Sequence, residues 1–245
     1  MKIVLIHGAF HYGSLWGEIA APLRSAGYEV HTPTLAGNGP PGADVDRTIG
    51  LAEAVQSAVD YVTEHDLSDF VLLGHSYGGT IISGMAEALP GRIRRLVYWN
   101  AFVHLDGESV EDLVPPAYNA MMDEIAASGE YGPGAVKMPF PVWREVFMND
   151  ADLDLARKAY DLTTAHPIKT FRDKLELKSF FDLQIPKSYL NCTDDIVMPL
   201  GELAWVPRFP ARLGVCRLVQ MPGGHEACFT NPSLSAQKII EAARD

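Results

Sequence analysis

Short apolar runs recur along the chain at 3–6, 28–32, 69–73, 94–99, 185–191 and 216–221, and each predicts a strand. Between them the apolar residues fall at helical spacing. Leu15, Ile19 and Leu23 stand at i, i+4 and i+8 and stop at Gly27. Ile81, Ile82, Met85, Ala86 and Leu89 form a second stripe, ended by Pro90-Gly91. Asn231-Pro232 pairs a capping residue with a proline at the first helical position, which predicts the start of a last helix. Strands alternating with helices predict an α/β fold, a mostly parallel sheet of about six strands with helices on both faces.

One segment breaks the alternation. From His104 to about Phe181 no clean strand pattern appears, and the sequence is rich in methionine and aromatic residues: Tyr118, Met121, Met122, Met138, Phe140, Trp143, Phe147, Met148, Tyr160, Phe171. Its position between two strands predicts a helical cap, residues 104–181, inserted in a core made of 1–103 and 182–245, the whole forming a single structural domain. Most of these side chains would form the cap's own interior, with a few left to face a cavity beneath and favour an adaptable, apolar ligand. The Gly/Pro-rich run from Ala36 to Gly42 reads as a loop and not as a domain linker.

The chemistry concentrates at residues 72–79, Leu-Leu-Gly-His-Ser-Tyr-Gly-Gly. An apolar run, Phe70 to Leu73, leads directly into Gly-x-Ser-x-Gly, and the helical stripe follows. That order is a nucleophile elbow, which throws Ser76 onto a tight turn flanked by Gly74 and Gly78. A serine hydroxyl needs a general base, and the base needs an orienting acid. His225, in Pro222-Gly223-Gly224-His225 after the strand at 216–221, is the candidate base. The strand at 185–191 ends in Thr193-Asp194-Asp195-Ile196-Val197-Met198-Pro199, and the Asp-x-x-x-Pro spacing favours Asp195 as the acid, with Asp194 the alternative. An oxyanion hole requires backbone N–H groups, expected from Tyr77 and from Ala9 or Phe10 in His7-Gly8-Ala9-Phe10. His7 and His75 read as buried structural histidines. Phe10 on this loop, and Trp143, Phe147 and His166 in the cap, are the expected substrate contacts.

With these stretches taken together, the chain resembles the α/β-hydrolase superfamily, and within it the branch of plant methylesterases, hydroxynitrile lyases and pyrethroid-type carboxylesterases. The matching residues are His7-Gly8-Ala9-Phe10-His11-Tyr12-Gly13-Ser14-Leu15-Trp16, Gly74-His75-Ser76-Tyr77-Gly78-Gly79, Cys192-Thr193-Asp194-Asp195 with Pro199, and Gly224-His225. The resemblance implies a serine hydrolase that cleaves a small, at least partly apolar carboxylic ester through an acyl-enzyme. Two departures stand out. The lyases carry a lysine just after the histidine, where this chain has Glu226, Ala227 and Cys228. The methylesterase pocket is apolar beside the histidine, so Glu226 departs there too, and Tyr77 is bulkier than the leucine or methionine common after the serine. The alternatives on the same scaffold are a lyase, a cofactor-free oxygenase, or a receptor-like binding protein with a silent triad.

Composition narrows the partners. A formal charge of −11 over 245 residues argues against nucleic acid and against anionic membranes. The apolar run at the N-terminus is too short for a signal peptide, and no stretch approaches a transmembrane span. Cys192, Cys216 and Cys228 are odd in number and form no metal-ligand pattern, so reduced thiols in a cytoplasmic protein are expected. No metal or cofactor motif is present, and the expected partner is a small-molecule ester. Oligomeric state has no signature in the sequence.

Overall fold

The computed structural model describes residues 1–245. Its strands are β1 (Lys2–Ile6), β2 (Glu29–His31), β3 (Phe70–His75), β4 (Ile93–Trp99), β5 (Ala135–Val136), β6 (His166–Pro167), β7 (Lys187–Cys192) and β8 (Arg217–Met221). The helices are α1 (Gly17–Ser25), α2 (Leu51–Glu64), α3 (Gly78–Ala88), α4 (Pro116–Ser128) and α5 (Phe140–Val142). They continue with α6 (Leu153–Leu162), α7 (Lys169–Arg172), α8 (Trp205–Arg212), α9 (Ala227–Thr230) and α10 (Pro232–Ala243). Six strands pair in the order β2-β1-β3-β4-β7-β8, every pair parallel.

The period of two in a strand divides the buried residues between two layers. Ile3, Leu5, Val71, Leu73, Val97 and Trp99 face one way, against Ile19 and Leu23 of α1 and Ile239 of α10. Val4, Ile6, Phe70, Leu72, Leu96 and Tyr98 face the other, against α2 and α3. Both faces are covered, which is why the central strands read as unbroken apolar runs. The expected strands all form, with ends shifted by one or two residues. At α10 the Asn231 side chain accepts the Leu234 N–H at 3.2 Å and Pro232 takes the first helical position, as the sequence predicts.

Between β4 and β7 the chain adds no strand to the sheet. Residues 104–181 form α4 to α7 and a π-helical turn at Trp143–Phe147. One difference from the sequence reading lies here: β5 and β6 pair antiparallel through Ala135↔Pro167 and Val136↔His166. Two residues per strand are too few to show any periodicity, so this pairing has no local signature. No helix is long and apolar enough to cross a membrane.

The sheet order reverses at β1, whose neighbours β2 and β3 follow it in sequence but lie on opposite sides. A crevice at the carboxyl ends of the strands opens at such a reversal. The loops after β1, β3, β7 and β8 all emerge there, and they carry Ala9, Ser76, Asp195 and His225. Ile239 is fully buried between α10 and the sheet, on the side away from this crevice. Ile239→Ala should therefore cost about 3 kcal/mol in urea unfolding while leaving the crevice intact; a loss below about 1 kcal/mol would show that the α10 interface is loosely packed.

Candidate active site

Ser76 occupies the turn between β3 and α3 with φ of +56°, the left-handed region that non-glycine residues rarely enter. The turn is this tight because two glycines allow it. A Cβ on Gly74 would lie 2.4 Å from the Gly78 carbonyl oxygen, and one on Gly78 would lie 2.6 Å from that of Ile6. Hydrogen bonds hold the strained unit: the Ser76 amide donates to Trp99 O at 3.1 Å, and Ser76 O accepts from Gly79 at 3.0 Å and Phe102 at 3.2 Å.

The Ser76 Oγ is 2.9 Å from His225 Nε2, and His225 Nδ1 is 2.6 Å from Asp195 Oδ2. The other Asp195 oxygen accepts the Val197 N–H at 2.9 Å, which fixes the carboxylate's direction. Trp205 stacks on the His225 ring at 5.5 Å and 12°, and Phe147 meets it edge-on at 5.3 Å. Burial of His225 disfavours its cation, but the charge of Asp195 and the hydrogen bond to it outweigh that cost and raise its pKa above 6.5. Asp194 does not touch the imidazole. Its Oδ2 accepts the Gly223 N–H at 2.8 Å and its own amide donates to Gly223 O at 3.1 Å, so it clamps the histidine loop from outside.

The other histidines have separate tasks. His7 Nδ1–H donates to Gly8 O at 2.8 Å while its Nε2 accepts from Leu35 at 3.1 Å. His75 points away from Ser76, and its Nε2–H donates to the His225 carbonyl at 3.0 Å. Burial pulls the pKa of both down to about 3, so both stay neutral. The amides of Ala9, Phe10 and Tyr77 donate to no acceptor within the protein, and Phe10 itself has φ of +66°.

Ser76 opens onto a cleft of about 650 Å³, counting its mouth. Thirteen of its sixteen lining residues are hydrophobic, so a ligand's apolar part is what the cleft accommodates. Ala9, Phe10, Tyr77 and Phe147 line it. Trp143 and His166, expected as substrate contacts, do not. Trp143 is fully buried behind the wall, stacked on Phe147 at 5.7 Å with its Nε1–H donated to Ala156 O at 3.2 Å. His166 is fully buried, stacked on Phe171 at 4.7 Å and hydrogen-bonded to Asn38 and Thr170. Each supports a residue that does line the cleft. Phe102, Val197 and Met198 also line it and were not anticipated. Val197 and Met198 lie two and three residues after Asp195, and that proximity was the available signal.

The geometry makes Asp195 the source of the raised His225 pKa. In a pH titration followed by NMR, His225 should protonate above 6.5 in the wild type, and Asp195→Asn should lower that pKa by at least about one unit. An equal drop in Asp194→Asn, with none in Asp195→Asn, would contradict the assignment.

Comparison with known proteins agrees with the architecture. Residues 3–238 match the model of the alpha/beta hydrolase family. An extracellular alpha/beta-hydrolase from a Paenibacillus species, described as sharing structural and functional homology with tobacco salicylic acid binding protein 2, superposes with a TM-score of 0.95 at 38% identity over 100% of both chains. A pyrethroid hydrolase of Sphingobium wenxiniae is 27% identical over 98% of this chain and 87% of its own length. A carbendazim hydrolyzing esterase of a Nocardioides species is 40% identical over 116 residues, 47% of this chain and 48% of that protein. With a family match over nearly its whole length and a solved relative that coincides with it end to end, the chain belongs to the alpha/beta hydrolase family.

Proposed function

We propose that this protein is a serine hydrolase that cleaves small, partly apolar carboxylic esters through an acyl-enzyme. The observation that carries the reading is the hydrogen-bonded series from Ser76 Oγ through His225 to Asp195, opening at an apolar cleft. The relatives named as esterases and hydrolases support the reaction class.

Ser76 Oγ attacks the ester carbonyl and passes its proton to His225 Nε2. The imidazolium is stabilised by Asp195, which holds Nδ1–H and keeps Nε2 aimed at the serine. The free amides of Ala9 and Tyr77 receive the developing oxyanion, where a single such donor contributes roughly 3 kcal/mol to the transition state. The carbonyl re-forms, the C–O bond to the alcohol breaks, and the alcohol leaves with the proton from His225. Water then attacks the acyl-enzyme, gives its proton to His225, and releases the acid as Ser76 regains its proton. In this reading residues 104–181 act as a cap whose Met122, Met138 and Phe147 close over the substrate's apolar part. The lyase alternative loses support because residue 226 is a buried glutamate beside His11 and not a lysine facing the cleft. Three unpaired cysteines suit a reducing, cytoplasmic setting.

Pre-steady-state turnover of p-nitrophenyl esters of increasing acyl length tests the reaction. The wild type should show a burst followed by steady turnover, and Ser76→Ala should lose both while remaining folded. Turnover unchanged in Ser76→Ala would refute the mechanism. Asp195→Asn should lower kcat by roughly three to four orders of magnitude, whereas Asp194→Asn should lower it less than about tenfold; the reverse order would move the acid by one residue.

A further inference from the structure

Two buried groups beside the candidate triad have no part in the steps above. Glu226 follows His225 directly and is 1% exposed, and His11 lies on the loop after β1 at 5%. The His11 Nδ1 is 2.6 Å from the Ala9 carbonyl oxygen, and its Nε2 is 3.2 Å from Glu226 Oε2. A carbonyl oxygen cannot donate, so Nδ1 must carry a proton. The second nitrogen has no hydrogen-bond partner but lies at ion-pair distance from the Glu226 carboxylate, which accepts from the Cys228 thiol at 3.4 Å. A ring already protonated at Nδ1, with its other nitrogen at ion-pair distance from a buried carboxylate and no donor facing it, is best satisfied as an imidazolium. Phe229 stacks on it at 5.8 Å, and Trp143 lies 6.0 Å away, which keeps the pair out of water.

We propose that Glu226 and the charged His11 form a buried ion pair that locks the oxyanion loop to the histidine loop and so holds the Ala9 amide toward the reacting carbonyl. The inference rests on the hydrolase reading of this site. The peptide unit is planar, so gripping the Ala9 oxygen fixes the Ala9–Phe10 plane as one body and limits rotation of the Ala9 backbone that carries the donor N–H. Phe10 is in a strained conformation that persists only when its surroundings over-determine it. The second tie is the Thr164 amide, which donates to Phe10 O at 2.8 Å. At its other end, Glu226 is itself the residue after the base, so the pair also ties down the loop that carries His225. Both residues are positioning residues, since neither touches the substrate.

The charges around the pair are consistent with this arrangement. His7 on the same loop and His75 at the end of β3 are neutral, and His225 on the Glu226 loop is turned toward Asp195. Burial opposes the charge on His11, but Glu226 and the Ala9 carbonyl raise its pKa. Burial likewise opposes the charge on Glu226, and His11 overcomes it, holding that carboxyl down to about 2. The His11 contribution to stability is thus complete below 6.5 and lost as pH rises through its raised folded value. The Glu226 contribution is complete above 4.5 and lost as pH falls through about 2.

The direct test is the side-chain ¹⁵N spectrum of the wild-type enzyme at pH 7. Both His11 nitrogens should show protonated shifts, and Glu226→Gln, which keeps the shape but removes the charge, should leave His11 with one proton. That variant should lower kcat by about 10- to 100-fold with KM changed less than about threefold. It should weaken phenylboronic acid, which forms a tetrahedral adduct on a nucleophilic serine, by a similar factor, with partial recovery in Glu226→Asp. The wild-type kcat should fall on the alkaline side, a limb absent from Glu226→Gln. A neutral His11 in the wild type would overturn the proposal whatever Ser76 does, and this readout stands even if the variant fails to fold. Wild-type kcat and boronate affinity in Glu226→Gln would overturn it equally. Failure of the hydrolase reading would appear separately, as undiminished turnover in Ser76→Ala.

Discussion

A non-glycine residue at φ of +56° is strained backbone, and at Ser76 the surrounding structure holds that strain. Gly74 and Gly78 let strand, turn and helix approach until a single added Cβ would collide with backbone. The amide and carbonyl of Ser76 are tied to Trp99, Phe102 and Gly79. The hydroxyl is thereby lifted from the carboxyl edge of the sheet into the crevice where the order of strands reverses. His225 and Asp195 are useful only in relation to that fixed oxygen. The loops that bring them are themselves clamped, by Asp194 on Gly223, by Asp150 on Gly224 and by His75 on the His225 carbonyl.

Electrostatic differentiation among the histidines follows from one rule. Burial alone lowers an imidazole pKa, and a neighbouring carboxylate raises it. His7, His75 and His166 are buried without an acid against the ring and are held neutral. His225 and His11 each face a carboxylate, Asp195 and Glu226, and are shifted upward. Similar rings packed within a few ångströms thus acquire different protonation states from the acids beside them.

Much of the architecture was legible in the sequence because its signals are local. Strands covered on both faces are continuous apolar runs, and Gly-x-Ser-x-Gly between a strand and a helix is a turn with steric requirements. The meeting of Ser76, Asp195 and His225 could be anticipated because each follows a strand of one parallel sheet. The direction of individual side chains in residues 104–181 could not. Whether Trp143 faces the cleft or the layer behind it depends on the path of the whole segment, including the β5–β6 pairing, which has no periodicity to read. Glu226 was visible as a departure from the resemblance, but its partner His11 lies more than two hundred residues earlier and only the folded chain brings them together.

The proposed chemistry depends on Ser76 as the nucleophile, activated through His225. Peptide mapping by mass spectrometry after treatment with a fluorophosphonate reads this out, because the reagent bonds covalently to an activated serine. A single adduct is expected on the peptide bearing Ser76, and none when His225 is replaced by alanine in a folded protein. An unlabelled Ser76 in the wild type, or an adduct whose formation ignores His225, would contradict it.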